Sequence, residues 1–162
     1  MNPIHPVLAP LARAAEHMPY LDCADALRKA LKAGGWLRPE HRVGDPSRYM
    51  RHVLYVDPQD RFVITAITWL PGQSSPVHGH QVWCAYGVAE GELTEEQFRY
   101  SYGQLTLLKA GLYRPGEVAD RDLEGQAIHR VSNRTPGTIV SLHLYGVSAE
   151  RLTTGINRIF AG

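Results

Sequence analysis

The N-terminal part of the chain places apolar residues three and four positions apart, the spacing of one face of a helix. This pattern predicts two short helices between residues 7 and 33, because polar residues fill the other positions and Gly34 and Gly35 follow as breakers. We interpret the pair as a cap over the core rather than as a binding helix, since such a stripe normally packs inward. The apolar positions are Leu8, Leu11, Ala15, Leu21, Ala24, Leu27 and Leu31.

From residue 49 the pattern changes to alternation, which is typical of strands with one buried face. In the first such segment Tyr49, Arg51 and Val53 fall on the same side, so an arginine lies on an otherwise apolar face. Short segments of this kind recur at regular spacing and predict an all-β barrel or sandwich. The predicted strands are residues 49–55, 62–70, 91–102, 104–108, 112–113, 128–131 and 138–145, with turns at Gly103, Gly111, Pro115-Gly116, Gly125 and Pro136-Gly137.

The composition narrows the class of partner. The length of 162 residues predicts one domain, 1–162, with 1–35 as a helical cap and 49–146 as the barrel that carries the site. Seventeen basic residues against 16 acidic ones give a net charge of +1, so we expect a small-molecule partner and neither nucleic acid nor a membrane.

No apolar run is long enough to span a membrane, and the N-terminus lacks the pattern of a secretory signal. We therefore expect a cytoplasmic protein.

Residues 72–91 contain the first candidate for chemistry. His78 and His80 are two positions apart, so in an extended segment both imidazoles leave the same face and can bind one metal ion. By the same parity, Val82 and Cys84 are expected on that face. Glycines at both ends and Pro76 mark the turns that bound such a strand.

Two later segments add polar groups of the same kind. His129 lies in a short apolar segment, and Ser141, His143 and Tyr145 alternate along the last strong strand. The three alternating residues do not predict a serine hydrolase, because no Gly-x-Ser-x-Gly elbow precedes Ser141. Each histidine segment alone is weak evidence, but together they indicate a metal site.

These motifs resemble those of a known family. Residues 72–91 resemble the first cupin motif, Gly-x5-His-x-His-x3-Glu-x6-Gly, with Cys84 where glutamate usually stands. The segment His129-x3-Asn133 resembles the second cupin motif. Within the cupins, residues 49–145 are similar to the thiol dioxygenases, of which the cysteine dioxygenase family is the best known. The motifs that carry this similarity are Tyr49-x-Arg51, His78-x-His80, His129-Arg130-Val131 and Ser141-Leu142-His143-Leu144-Tyr145.

The resemblance implies a cupin (jelly-roll type) β-barrel with short N-terminal helices. It also implies non-haem iron, Fe(2+), bound by His78, His80 and His129, without the usual carboxylate ligand. Three neutral imidazoles leave the full charge of the metal for incoming ligands, which favours an anionic thiolate. A thiol bound to the cation loses its proton well below its usual pKa, which prepares the sulfur for oxidation.

The resemblance also places a substrate-binding arginine at Arg51, with Tyr49 helping to shape the pocket. A guanidinium on an inward face needs an anion, and its fork matches a carboxylate. The alternative is an ion pair between Arg51 and a structural carboxylate. Relatives that act on 3-mercaptopropionate have glutamine at this position, so arginine favours cysteine.

A relay is implied for the last strand, in which Ser141 binds His143 and His143 orients the hydroxyl of Tyr145 toward the metal. The alternative is that Tyr145 is a core aromatic residue. Cys84 matches the cysteine that some family members join to this tyrosine by a thioether bond. The alternative is a buried core cysteine, a common position for this residue.

The sequence therefore predicts an iron(II) thiol dioxygenase that uses O2 to oxidise a small carboxylated thiol, most simply L-cysteine to cysteine sulfinate. Other substrates considered are 3-mercaptopropionate and mercaptosuccinate, which Arg51 would also accept. A non-catalytic metal cupin that binds a small molecule is the alternative from another class, because fold alone does not determine function. Other metal cupins, such as isomerases, more often keep the glutamate that Cys84 replaces.

Overall fold

The computed structural model describes residues 3–17, 21–122 and 127–161. Helix α1 spans Ala9–His17 and helix α2 spans Leu21–Ala33, as the apolar spacing predicts. Helix α2 ends where Gly34 takes a φ of 61°, a left-handed conformation that glycine adopts without steric cost. Short 3-10 helices are found at Pro6–Leu8, Pro39–Arg42 and Ala149–Arg151.

The described residues also form two five-stranded antiparallel sheets, in the orders β1-β2-β9-β4-β7 and β10-β3-β8-β5-β6. The predicted all-β fold with short N-terminal helices is confirmed. The strands are β1 Met50–Val56, β2 Val63–Trp69, β3 His78–His80, β4 Cys84–Glu90, β5 Leu93–Ser101, β6 Gln104–Tyr113, β7 Val118–Asp122, β8 Ile128–Ser132, β9 Ile139–Tyr145 and β10 Asn157–Ile159.

The two faces of the first sheet have different roles, because neighbouring residues on a strand point in opposite directions. On β2 and β9 one set of residues packs with α1 and α2 in a single apolar cluster, which includes Ile64, Ala66, Leu142 and Leu144. Helix α2 lies so close to β4 that a Cβ atom on Gly87 would be 2.5 Å from Cδ1 of Leu31. The other set of residues, including the polar side chains of β9, faces the second sheet.

The strand predicted from the histidine pair is interrupted. The segment crosses from one sheet to the other after His80, and Cys84 begins β4 in the first sheet. The expectation of one continuous strand from His78 to Cys84 is therefore wrong, although Cys84 still lines a cavity together with His80 and His129. At the crossing the indole of Trp83 covers Gly146, whose backbone N–H donates to the Trp83 carbonyl at 2.9 Å.

Two smaller differences concern the strands. Gly111 does not end a strand, because β6 continues through it and pairs with β5 along its length. Strands β7 and β10 were not predicted, since the first is rich in charged residues and the second has only three residues. The turn predicted at Gly125 lies outside the described residues.

Among the helices of the described ranges, none has the length and apolar character needed to cross a membrane.

Candidate metal centre

Three buried histidines meet between β3 and β8. His78 and His80 occupy the two ends of β3, and His129 on β8 is paired in register with His78. Their candidate ligand atoms all lie within 4.8 Å of one another. The Nε2 atoms of His78 and His129 are 3.1 Å apart. The three histidines meet because β3 pairs with β8. This pairing cannot be predicted from the spacing of residues along the chain.

The hydrogen bonds behind two of these rings determine which nitrogen faces the centre. His78 Nδ1 is 3.0 Å from the carbonyl oxygen of Pro76, and His129 Nδ1 is 2.7 Å from Oε1 of Glu95. A carbonyl and a carboxylate only accept hydrogen bonds, so both Nδ1 atoms donate, and in the neutral form of each ring the Nε2 atom then presents a lone pair to the same point. Lone pairs this close repel each other unless a cation lies beside them. The donor set therefore fits a divalent metal ion.

The protonation states favour the same interpretation. Burial, together with the neighbouring imidazoles of His129 and His80, lowers the pKa of His78 to about 3, so this ring is neutral at physiological pH. Burial alone would raise the pKa of Glu95. The hydrogen bond and the charge interaction with His129, together with the hydrogen bonds from Gln97 and Tyr86, outweigh burial and lower this pKa to about 2. Glu95 is therefore an ionised carboxylate in contact with a histidine of the centre.

Arg51 lies on β1 near the centre, with Tyr49 before it. Its Nη2 donates to the Tyr49 hydroxyl at 3.3 Å, while its Nε is buried without a hydrogen-bond partner. Among the described residues no aspartate or glutamate forms an ion pair with Arg51, so the alternative of a structural ion pair is not observed there. The Tyr49 ring in turn stacks on Trp69 at 4.6 Å between centroids. A buried N–H without an acceptor is a donor that an anionic ligand could satisfy.

The three polar residues of β9 form a continuous hydrogen-bonded chain. Ser141 Oγ is 2.8 Å from His143 Nε2, and His143 Nδ1 is 3.0 Å from the Tyr145 hydroxyl. Trp69 Nε1 extends the chain by donating to Ser141 Oγ at 2.9 Å. We call these four side chains the β9 relay.

The Trp69 donor determines the direction of the β9 relay. An indole N–H can only donate, so Ser141 accepts that bond, and His143 Nε2 is the acceptor among its described side-chain contacts for its own hydrogen. Burial, with a contribution from the positive charge of Arg51, lowers the pKa of His143 well below its usual value, so the neutral ring carries its proton on Nδ1. That N–H donates to the Tyr145 oxygen. Burial raises the pKa of Tyr145, which keeps its hydrogen available for donation into the cavity.

Cys84 and Tyr145 are directly opposite each other on β4 and β9. Side chains of directly opposed residues leave the same face of a sheet, and both residues belong to one buried cluster. Cys84 thus reaches the site through the pairing of two strands that are distant in sequence. Cys23 and Cys84 are both buried and are not joined in a disulfide.

Two cavities meet at the histidines. One is lined by Arg51 and by Trp69, His143 and Tyr145 of the β9 relay, and the other is lined by Cys84 and Glu95. His80, Tyr86 and His129 line both, so the two small cavities lie on either side of the histidine group. The first cavity is lined by Tyr49, Arg51, Trp69, His78, His143 and Tyr145 in addition to the shared residues, and the second by Cys84, Glu95, Gln97, Ala119 and Ala127.

Glu95, Tyr86 and the contribution of Trp69 to the relay were not predicted from the sequence. Glu95 had one usable signal, since it shares the parity of buried Leu93 on a strand and an acidic residue on an inward face needs a partner. Neighbouring Glu96 concealed that signal, because two consecutive acidic residues also fit an exposed face. Tyr86 offered no signal that distinguishes it from a core aromatic residue.

The fold and the buried histidines define a cupin β-barrel with a group able to hold a metal ion. Similar solved structures support the fold. The TT1209 protein from Thermus thermophilus has a TM-score of 0.54 and 20% identity, over 68% of this chain and 96% of that chain. The cupin-2 domain protein Rru_A2000 from Rhodospirillum rubrum has a TM-score of 0.51 and 15% identity, over 73% of this chain and 72% of that chain.

The family is shown by a match over most of the chain. The family described as cysteine dioxygenase type I matches residues 32–152. The chain belongs to this family, which confirms the resemblance drawn from the separate motifs. The matched region includes all the residues predicted for the site.

Proposed function

We propose that the protein is an iron(II)-dependent dioxygenase that converts L-cysteine to cysteine sulfinate with O2. The observation that carries the proposal is the Arg51 guanidinium, which faces the same cavity as the three histidines and has no carboxylate partner among the described residues. Family membership supports a thiol as the substrate and O2 as the second reactant.

His78, His80 and His129 would hold the iron through neutral imidazole nitrogens. Bound there, iron(II) would supply open positions at which a thiolate and O2 meet, and it would promote transfer of oxygen to sulfur. No carboxylate of the described residues is part of the histidine group, so the donor set adds no negative charge of its own. This favours an anionic sulfur ligand.

The chain orients the rest of the substrate. Arg51 would bind the substrate carboxylate through its guanidinium, whose buried Nε has no hydrogen-bond partner, in the cavity that the three histidines also line. Tyr49 supports the guanidinium from one side, with its ring centroid 5.2 Å from the guanidinium carbon. Binding at two ends would hold the sulfur in one position, which is how orientation lowers a barrier.

Tyr145 would donate its hydroxyl hydrogen toward the reacting groups. The β9 relay supports this role because every earlier member donates toward Tyr145, so its oxygen is already satisfied as an acceptor. The buried relay would therefore need no rearrangement when substrate arrives.

We also propose a thioether bond between Cys84 and Tyr145. The bond would join Cys84 Sγ to a ring carbon beside the Tyr145 hydroxyl, and each residue would lose one hydrogen. The two electrons and two protons removed would pass to O2, which the reaction already uses, and would give hydrogen peroxide. Peptide mapping after turnover should find the two peptides joined and lighter by two hydrogens. Recovery of both residues unlinked would exclude the bond.

Oxygen uptake with a panel of thiols tests the main proposal. Iron-loaded protein should consume O2 fastest with L-cysteine, and slower with 3-mercaptopropionate, mercaptosuccinate and the carboxylate-free analogue cysteamine. Product should appear as sulfinate, one per O2 consumed. Iron-loaded protein that consumes no O2 with any of these thiols would instead indicate a non-catalytic binding protein.

A further inference from the structure

A buried carboxylate lies directly behind one histidine of the metal centre. Glu95 Oε1 accepts hydrogen bonds from His129 Nδ1 at 2.7 Å and from the Tyr86 hydroxyl at 2.9 Å. Its other oxygen accepts from Gln97 Nε2 at 3.0 Å. The side chain is only 7% exposed. Glu95 is therefore held by three donors in a place that water hardly reaches.

The charge of this carboxylate needs an explanation. Among the described residues its three donors are an imidazole, a phenol and an amide, and none is a lysine or an arginine. A buried charge without a counter-charge is costly. A divalent ion bound by His129 would place positive charge on the other side of the same imidazole ring.

Neighbouring Glu96 shows what a structural carboxylate looks like in this strand. It points to the opposite face of β5, where it accepts hydrogen bonds from Arg130 at 2.7 Å and Arg134 at 2.9 Å. Glu96 thus has two full positive charges as partners, whereas Glu95 has a histidine of the metal centre.

We infer that Glu95 is a positioning residue that anchors His129 and supplies negative charge to the metal through the imidazole ring. The inference rests on the proposed metal centre. The usual cupin motif has a glutamate ligand at the position of Cys84, and that ligand adds negative charge to the metal centre. Glu95 would supply part of this charge from behind His129. A carboxylate behind a ligand histidine fixes the tautomer and ring orientation and makes the nitrogen a stronger donor. The charge also favours the more oxidised state of the metal.

Tyr86 connects this arrangement to the β9 relay. Its hydroxyl donates to Glu95, and its ring stacks on His143 with centroids 4.9 Å apart and planes only 10° apart. It is also buried, so movement of either neighbour would displace the ring. Tyr86 therefore connects Glu95, which anchors His129, with His143, which orients Tyr145.

Metal affinity of the substitution Glu95→Gln tests the inference without measuring turnover. The neutral amide keeps the size of the side chain but removes its charge, and we expect the dissociation constant for Fe(2+) or Co(2+) to rise about 10- to 100-fold. The visible spectrum of the Co(2+)-loaded protein should shift, and the reduction potential of the bound iron should rise. The matched control is Glu96→Gln, which removes a buried carboxylate one residue away and should change metal affinity by less than about threefold.

Two further variants keep the test decisive if Glu95→Gln folds poorly. Glu95→Asp retains the charge and should recover part of the affinity, while Tyr86→Phe removes one donor to Glu95 and should alter the Co(2+) spectrum less. Unchanged metal affinity and potential in folded Glu95→Gln, or an equal loss in Glu96→Gln, would overturn the inference. A wild-type protein that binds neither metal would instead refute the proposed centre itself.

Discussion

Substitution of Arg51 by glutamine gives the sharpest test of how substrate is selected. Of the described residues, Arg51 is the one lysine or arginine that lines the cavity holding the histidines and Tyr145, and its Nε has no partner. Glutamine keeps a polar group of moderate length but removes the charge and the two-pronged donor. If Arg51 binds the carboxylate, the variant leaves that carboxylate in a cavity with little access to water.

The expected loss follows from the environment of this ion pair. Removing one partner of a buried, hydrogen-bonded charge pair costs about 2–5 kcal/mol, and partial exposure of Arg51 places the effect in the lower part of that range. A cost of about 2–4 kcal/mol corresponds to a decrease of roughly 30- to 1,000-fold in kcat/KM for L-cysteine.

Cysteamine, which lacks the carboxylate, is the internal control in the oxygen-uptake assay. Its kcat/KM should change little in Arg51→Gln, so the preference for L-cysteine over cysteamine should nearly disappear. Arg130→Gln is the matched control protein, because this arginine pairs with Glu96 on the outer face of the sheet. Equal losses of kcat/KM for both thiols in Arg51→Gln would refute carboxylate recognition by Arg51.

Three further predictions concern the relay, helix packing and acid stability. Trp69→Phe removes the donor that directs the β9 relay and should lower kcat about 3- to 30-fold in oxygen uptake, with little change in KM, in keeping with the loss of about one hydrogen bond. Gly87→Ala places a Cβ atom 2.5 Å from Leu31 and should destabilise the fold by about 1–3 kcal/mol in urea unfolding. Asp57→Asn should destabilise the protein by about 1–3 kcal/mol at neutral pH, because the buried carboxylate accepts two side-chain bonds from Arg61 at 2.6 and 2.9 Å. Hydrogen bonding to Arg61 lowers the pKa of Asp57 in the folded state, so this stabilisation is present above the unfolded pKa of about 3.9 and is lost as the pH falls below it.

Each of these predictions has a result that would contradict it. A KM effect without a kcat effect in Trp69→Phe would mean that the indole only shapes the cavity. Unchanged stability of Gly87→Ala would mean that helix α2 moves away from β4 at little cost. A stability difference between wild type and Asp57→Asn that stays constant from about pH 6 to below about pH 3 would exclude the ionised carboxylate as its origin.

Much of the site could be predicted because its residues lie in short motifs with strong local patterns. The separation of two between His78 and His80 on an extended segment puts both rings on one face, and the alternation of Ser141, His143 and Tyr145 does the same on β9. The apolar spacing between residues 7 and 33 likewise predicted both helices, because helical periodicity is a local property.

The tertiary structure decided what depends on pairing between distant strands. Cys84 reaches Tyr145 because β4 pairs with β9, although the chain has changed sheets between His80 and Cys84. Glu95 reaches His129 because β5 lies beside β8, 34 residues away along the chain. The alternation of residues along one strand determines which face a side chain takes, but only the register between strands determines which side chain it meets there. For this reason the sequence alone predicted the three histidines and the arginine, and the tertiary structure was needed to find the carboxylate behind them.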